Sequence, residues 1–164
     1  MGENVATLEV LYDAINRADL EAILELQAED VEWHGPHVFP DLTGPHRGHD
    51  GVRAYAARIS DAWEEFSIRA ERFVELGNRV LVLTRERGRG RLSKIEVQSR
   101  PTAHLWTMDD GQVVRFEVFW DREEGLRAAG VGTEGGCGQP RCRPRLRPAR
   151  PGRPSRASCR GSRL

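Results

Sequence analysis

The feature that most constrains the fold is a pair of alternating apolar runs in residues 100–121, RPTAHLWTMDDGQVVRFEVFWD. Asp-Gly between two such runs is a strong hairpin signal, because glycine readily takes the positive φ angle of a tight turn. Side chains in a strand point alternately to its two faces. The pattern therefore predicts one apolar wall, whose residues are His104, Trp106, Met108, Phe116, Val118 and Trp120.

Charge divides the chain into two unlike parts. Residues 1–131 contain 16 Lys and Arg against 24 Asp and Glu, whereas residues 132–164 contain nine Arg and one acid, Glu134. The acidic body argues against nucleic acid as its partner. The tail is mostly Gly, Pro, Arg and Ser, so it cannot bury enough apolar area to offset the entropy of ordering. We expect a single domain at 1–131 and a disordered tail at 132–164.

Two interpretations of the tail stay open: an Arg-rich arm that holds RNA or an acidic membrane, and a vector-derived or out-of-frame extension. All three cysteines lie in the tail, so the body uses no disulfide, as is typical of a reducing compartment. The chain has no apolar run of about 18 residues and no visible secretory signal. We therefore expect a cytoplasmic protein whose body binds no membrane.

The order of elements indicates the fold class. Apolar residues at helical spacing predict helices at 4–17, 20–27 and 50–63, with a short strand at 31–34. Strands follow at 66–75, 79–87 and 94–108 and after the Asp-Gly turn, and a short helix closes the body at 123–129. Helices grouped ahead of a run of strands predict an α+β fold, with the helices packed on one face of a curved antiparallel sheet.

Four histidines, His34, His37, His46 and His49, lie within sixteen residues and raise the question of a metal site. Their spacing does not match that of a zinc site, since no pair has the i, i+4 or compact arrangement that zinc ligands use. A polar pocket rim or a solvated loop explains them better. We expect no metal and no other cofactor.

Three signatures, LYDAINRADLEAILELQAEDVEWHGP, GHDGVRAYAARISDAW and AHLWTMDDGQVVRFEVFWDREEGLRAAG, resemble the nuclear transport factor 2-like superfamily. Within it, the chain is similar to SnoaL-like and ketosteroid-isomerase-like proteins over about residues 3–131. The resemblance implies a cone-shaped fold of cystatin-like topology, in which a curved sheet wraps around three helices and leaves a pocket. It also implies a homodimer formed through the outer face of the sheet. Members include isomerases, polyketide cyclases, epoxide hydrolases, dehydratases and binders without catalysis, so the fold does not decide the activity.

The catalytic residues of steroid isomerases transfer poorly to this chain. Their general-base Asp precedes a Pro that looks like Pro36, and the residue there is Gly35, which cannot move a proton. Their oxyanion-hole Tyr corresponds to Leu11. Tyr12 stands one step, about 100°, round the helix and is not expected to replace it. Their second donor corresponds to about His104.

His104 is the first candidate for catalysis, because its unperturbed pKa lies near neutral. It would act as an acid/base or polarise a ligand carbonyl, and the alternative is a core histidine satisfied by one neighbour. Asp121 is a minor candidate, since SnoaL-type cyclases use an Asp near this end of the sheet. Its spacing to Glu124 favours instead an N-cap of the closing helix.

The expected site is a pocket for a small hydrophobic molecule, with sparse polar groups among apolar walls. The first hypothesis is a binding protein without catalysis. The second is an isomerase, cyclase or lyase that acts on a hydrophobic carbonyl compound through His104. The third is a dimeric interaction module whose interior is filled by its own side chains. The expected ligand-binding residues are Trp33, His34, Tyr55, Trp106, Phe116, Val118 and Trp120.

Overall fold

A computed structural model gives the fold and describes residues 2–35, 44–99 and 101–132. These residues all lie in one compact unit, Met1–Glu134. Apart from its first residue, the tail predicted at 132–164 lies outside the described residues. In chain order the elements are α1 (Glu3–Asn16), α2 (Leu20–Glu25), β1 (Gln27–His34), β2 (His46–Arg47), α3 (Gly48–Ala62), β3 (Trp63–Leu76), β4 (Arg79–Gly90), β5 (Glu96–Gln98), β6 (Thr102–Asp109), β7 (Gln112–Phe119) and α4 (Arg122–Ala129).

The strands form one curved sheet in the order β2-β1-β7-β6-β4-β3, with β5 paired to β4. The α+β class and the curved sheet are confirmed. The sheet is antiparallel except for β1 and β7, which are parallel. The expected antiparallel sheet is therefore confirmed for every other pair of neighbouring strands. Strands β1 and β7 are far apart in sequence, so no short turn joins them and requires an antiparallel direction.

The β6–β7 hairpin turns where the sequence predicts it. Asp110 and Gly111 have φ angles of 48° and 79°. Positive φ at both central residues is the geometry of a type I′ turn, whose twist matches that of the flanking strands. The turn fixes which residues of β6 and β7 face each other, including the pairs His104 with Val118 and Trp106 with Phe116.

The two faces of the sheet support different layers. We call the face that packs against α1, α2 and α3 the inner face, and the face that packs against α4 the outer face. Val80, Val82, Trp106 and Met108 belong to the inner core. The residues of the outer core are Leu81, Leu83, Ala103, Leu105 and Ala129. The three expected helices thus lie on the inner face, and the closing helix covers the other side.

Some element boundaries differ from the prediction. Strand β1 begins at Gln27 rather than 31, because its polar first half pairs with β7 across an irregular register. The strand predicted at 94–108 is divided into β5 and β6. The longest described helix has 15 residues, and no described helix is long and apolar enough to cross a membrane.

Asn16 joins the end of α1 to the sheet. Its side-chain nitrogen donates to the carbonyl oxygen of Ile68 at 3.0 Å, and its side-chain oxygen accepts from the Ile68 N–H at 2.7 Å. These two bonds reproduce the pairing that a neighbouring strand would make with β3. They fix the last turn of α1 against the sheet, and with it the preceding turn, which carries Tyr12.

Candidate functional site

A polar group ends the otherwise apolar inner face of β4. Side chains of Val80, Val82 and Thr84 lie on this face, and alternation places Glu86 next in the series. On the adjacent strand β6, His104 is paired with Val82 and lies on the same face. A carboxylate and an imidazole therefore meet beneath the helical layer.

Three hydrogen bonds connect four side chains from α1, β4 and β6. Trp106 Nε1 donates to Tyr12 Oη at 3.0 Å. Tyr12 Oη lies 2.9 Å from His104 Nδ1, and His104 Nε2 lies 3.3 Å from Glu86 Oε1. The His104 side chain is only 2% exposed, whereas the Glu86 side chain is 18% exposed. We call Tyr12, His104 and Glu86 the Tyr12–His104–Glu86 network. Glu86 is the most exposed of these residues and forms the accessible end of the network.

The donors in this network determine where its protons lie. An indole N–H can only donate, so Tyr12 Oη accepts from Trp106 and directs its own proton to His104 Nδ1. The proton of a neutral His104 then lies on Nε2 and points to the Glu86 carboxylate. This neutral tautomer is the arrangement that uses every donor. A doubly protonated ring would leave the Tyr12 hydroxyl without the acceptor that it uses here.

Burial keeps both phenols of the domain protonated. It raises the pKa of Tyr12 far above the ordinary value, against the lowering effect of the Trp106 hydrogen bond and with a further increase from the Glu86 charge. Burial also raises the pKa of Tyr55 to about 12, and the charge of Glu86 adds to that increase. The negative charge of Glu86 is thus felt at two helices of the inner layer.

An aromatic cluster lies beside the network. The rings of Trp106 and Phe116 are stacked with centroids 4.0 Å apart, and Trp33 meets Phe116 edge-on at 4.8 Å. The ring of Tyr55 also meets Trp33 edge-on, with centroids 5.5 Å apart. Val118 packs against the same core and stays half-buried. The inner core therefore brings together five of the expected ligand-binding residues: Trp33, Tyr55, Trp106, Phe116 and Val118.

Two expected ligand-binding residues lie elsewhere. His34 follows Trp33 directly, so strand alternation places it on the outer face, where its Nε2 lies 3.2 Å from Glu32 Oε2. Trp120 lies beyond the end of β7 and is 52% exposed. Neither residue lies in the buried aromatic cluster, although Trp120 was expected in the apolar wall and His34 was expected as a polar group of the pocket.

Asp121 is engaged as a helix cap. Its carboxylate accepts from the backbone N–H groups of Glu123 and Glu124 at 2.8 and 3.0 Å. This is the N-cap arrangement that the sequence favoured over a catalytic role. The carboxylate is directed at the first turn of α4, which packs on the outer face, away from the network.

Two residues of the network change the expectations from sequence. Both ring nitrogens of His104 are occupied and the ring is buried, so the expected direct contact between His104 and a ligand is not available. Tyr12, which was not expected to take part, is the hydrogen-bond partner of His104. The expectation that Tyr12 points away from the site was wrong. Helix α1 buries a wide face against the sheet, and that face includes Leu8, Leu11 and Tyr12.

Glu86 is the residue that sequence reasoning missed. A signal for it exists, since an acid follows the series Val80, Val82, Thr84 at the strand period of two. Because this segment is rich in Val and Leu, it is interpreted as an apolar central strand, and Glu86 is not considered as a site residue.

The described histidines of the loop region make separate contacts. The His46 ring lies 5.4 Å from Tyr55, and burial lowers the pKa of His46. His49 Nε2 lies 3.2 Å from the carbonyl oxygen of Gln27. His37 lies outside the described residues. Within the part of the chain that the structure describes, no group of three potential ligands could hold a metal ion.

Two cavities formed by described residues lie apart from the network. One, of about 300 Å³, is bordered by Phe66, Arg87, Gly88 and their neighbours. The other, of about 320 Å³, lies between Glu29 and the start of α3. Neither is lined by Glu86 or His104, so the network is identified by its hydrogen bonds and not by a void.

Comparison with known proteins identifies the family. The sequence profile of the SnoaL-like domain family matches residues 8–116 of this chain. The chain belongs to the SnoaL-like family. The expected resemblance to the nuclear transport factor 2-like superfamily is confirmed by this match and by solved structures of the same fold.

Three solved structures illustrate the SnoaL-like fold. A nuclear transport factor 2-like protein of unknown function from Burkholderia pseudomallei K96243 is 29% identical, with a TM-score of 0.68 over 77% of this chain and 97% of that one. A similar protein from Burkholderia xenovorans LB400 is 28% identical, with a TM-score of 0.60 over 77% and 95%. A candidate polyketide cyclase from Xanthomonas campestris pv. campestris is 17% identical, with a TM-score of 0.61 over 77% and 96%.

The last of these SnoaL-like structures supports the fold alone, because of its low identity. No curated protein matches the sequence of this chain. The comparisons therefore establish the family and the fold, and the chemistry has to be argued from the residues.

Proposed function

We propose that the domain binds a small, largely apolar molecule against the inner face of the sheet, with Glu86 in contact with its polar end. One observation carries the proposal: a carboxylate held by a buried histidine stays partly exposed beside an aromatic cluster. Apolar walls with a few fixed polar groups are the usual composition of small-molecule sites. Tyr55 and Val118 are the half-buried wall residues that complete this surface.

The cost of the network supports a function for it. Buried polar groups cost free energy even when they are hydrogen-bonded, and apolar side chains of similar volume would often stabilise a core as well or better. The buried polar residues of β4 and β6 are Thr84, Thr102 and His104, and all three lie on the inner face. We therefore attribute the network to what it does to Glu86 and not to stability.

A second candidate function is acid/base catalysis on a carbonyl compound, as in an isomerase, cyclase or lyase. The observation that favours it is the position of Glu86 at the end of a network with assigned protons. Glu86 would accept a proton from the carbon next to the carbonyl, and the C–H electron pair would move towards the carbonyl oxygen. The protonated carboxyl would then return the proton to another atom of the same substrate.

In this reaction His104 and Tyr12 are positioning residues. His104 Nε2–H holds one carboxylate oxygen and leaves the other available. The Tyr12 hydroxyl donates to His104 Nδ1 and so favours the tautomer with the proton on Nε2. The indole N–H of Trp106 donates to the same hydroxyl and orients it. A side chain fixed in this way loses little conformational entropy when it engages a substrate.

Binding is tested with the uncharged ketone 2-acetonaphthone and the four tryptophan indole N–H signals of the full-length chain in NMR spectra. We expect the signals of Trp33 and Trp106 to shift on titration, because both indoles lie in the aromatic cluster. Assignment by single Trp→Phe variants identifies each signal. Shifts confined to the half-exposed Trp120, or no shift at all, would overturn the proposed binding site.

Catalysis is tested with the same ketone in D₂O. If Glu86 exchanges protons with it, deuterium enters the methyl group faster than in buffer, and Glu86→Gln slows incorporation by about 100-fold or more. The variant keeps the size of the side chain and serves as its own fold control in the NMR spectrum. Tyr12→Phe should lower kcat with little change in KM, as expected for a positioning residue. A wild-type rate equal to that of buffer would leave the domain as a binding protein.

The expected homodimer through the outer face is a separate part of the proposal. Helix α4 covers that face over β4 and β6, so a contact would use the charged surface of β1 and β7. Sedimentation of the full-length chain decides the matter. A mass of 18.5 kDa would exclude the homodimer, and twice that mass would support it.

A further inference from the structure

The charge of the network limits which ligands it accepts. The donor directions assigned above place one proton on Tyr12 Oη and one on His104 Nε2, so the negative charge of the network belongs to the Glu86 carboxylate. That charge lies at the accessible end, on Glu86. A ligand whose polar end contacts Glu86 therefore contacts an anion.

No Lys or Arg of the described residues forms an ion pair, within 4.0 Å, with the Glu86 carboxylate. Arg85 and Arg87 flank Glu86 in sequence, but strand alternation directs them to the outer face. There Arg85 pairs with Glu71 at 3.0 Å, and Arg87 pairs with Glu96 at 2.9 Å. Within the described part of the chain, His104 is the one ion-pair partner recorded for Glu86, and its donor tautomer is neutral.

The aromatic cluster acts in the same direction. The faces of indole and phenyl rings carry negative electrostatic potential and attract cations. Trp33, Trp106 and Phe116 lie beside the network, so their rings offer no compensation to an anion. An anionic group brought near Glu86 would be repelled in a region where burial weakens solvent screening.

We propose that this site takes ligands whose polar end is uncharged or positively charged, such as an alcohol, a ketone or an amine, and rejects carboxylates. This inference rests on the proposed binding function and adds the charge class of the ligand. The deciding group is Glu86, which touches the polar end, while His104 and Tyr12 keep its carboxylate oriented.

Three naphthalene probes of matched shape test the inference on the full-length chain. They are 2-naphthylmethylamine, 2-naphthalenemethanol and 2-naphthoic acid, which are cationic, neutral and anionic at neutral pH. Titration against the Trp33 and Trp106 indole signals gives their dissociation constants. We expect the amine and the alcohol to bind at least about tenfold more tightly than the acid, because like charges brought together at a binding site are strongly unfavourable.

Glu86→Gln is the matched variant, since it removes the charge and keeps the shape. In it the three affinities should agree within a factor of about three, because the repulsion is gone. Glu71→Gln, which removes a charge on the outer face, should leave the discrimination intact.

The outcomes separate the two proposals. Equal affinity of the acid and the alcohol for the wild-type chain would overturn the charge selection and leave the binding function standing. Discrimination that persists in Glu86→Gln would also overturn it. Failure of all three probes to bind would overturn the binding function itself.

Discussion

The inner and outer faces of β4 and β6 are built from the same stretch of sequence and differ in kind. Leu81, Leu83, Ala103 and Leu105 point outwards and form an apolar contact with α4. The alternate residues point inwards and include four buried or partly buried polar side chains, Thr84, Glu86, Thr102 and His104.

Each inner polar group has a partner: Thr84 Oγ1 lies 2.8 Å from Thr102 Oγ1, and His104 joins Glu86 to Tyr12. The comparison shows that the fully buried polar residues of β4 and β6 lie on the inner face, whereas the outer core of these strands consists of Leu and Ala. Stability alone would favour apolar residues on both faces. The inner arrangement is therefore the better guide to function.

The largest effect is expected on the outer face. Leu105→Ala should lower the free energy of unfolding by about 2–5 kcal/mol, since it leaves a cavity beneath α4. Urea unfolding followed by tryptophan fluorescence measures the change. Ligand affinity at the inner face should stay the same. A loss below about 1 kcal/mol would mean that α4 does not seal this face as tightly as its contacts indicate.

Alkaline pH probes the inner face through the two tyrosines of the chain, Tyr12 and Tyr55. Their pKa values are raised by burial, that of Tyr55 to about 12, so above pH 10 the folded state holds more protons than the unfolded state. Stability then falls as pH rises, beginning near pH 10 and continuing through pH 12.

Spectrophotometric titration measures this difference between folded and unfolded chains. Tyrosinate absorbance should be delayed in the native protein and should follow the ordinary titration near pH 10 in denaturant. Native absorbance that rises near pH 10 would contradict the burial of both phenols.

Tyr12→Phe separates packing from proton positioning. It removes the hydroxyl that serves Trp106 Nε1 and His104 Nδ1, and two buried polar atoms without partners should cost about 1–3 kcal/mol. The sharper measurement is the ¹⁵N NMR spectrum of His104. In the wild type the proton should lie on Nε2, and in the variant both tautomers should be populated.

Tyr55→Phe is the matched control, because no recorded hydrogen bond joins Tyr55 to His104 among the described residues. It should leave the His104 signals unchanged. A wild-type ring that is already a mixture of tautomers would contradict the assigned direction of the network.

The smallest effect is expected at the start of α4. Asp121→Ala should cost about 1 kcal/mol through loss of two cap hydrogen bonds, whereas Asp121→Asn should cost only a few tenths. Thermal unfolding compares the two variants. Probe binding at the inner face should be unaffected in both, and a loss of binding larger than the loss of stability would restore Asp121 to the functional site.

Much of the fold follows from local sequence patterns. The Asp-Gly turn and the alternation around it predict the β6–β7 hairpin, because turn conformation and side-chain period are local properties. The parallel pairing of β1 with β7 could not be predicted in this way. Its register depends on residues about 85 positions apart in sequence, and the first half of β1 is too polar to be read as a strand.

The site was only partly predictable for a related reason. Trp106 and Phe116 were found from alternation, and His104 was found as a polar residue among them. Tyr12 was missed because its direction depends on how α1 is rotated against the sheet. Glu86 was missed because its role depends on its contact with His104 of β6, and local patterns do not place these two side chains together. His34 was expected in the same pocket as Trp33. Alternation along β1 places these two adjacent side chains on opposite faces of the sheet, so this expectation could have been rejected from the sequence.

The two bonds between Asn16 and Ile68 have a mechanical consequence for the domain. Since one side chain clasps both backbone groups of a strand residue, the last turn of α1 is tied to the long β3–β4 ribbon. A movement of that ribbon would therefore also move α1 and the Tyr12 side chain on its preceding turn. The rate of hydrogen–deuterium exchange at the Ile68 amide would report how often the Asn16 hydrogen bonds open.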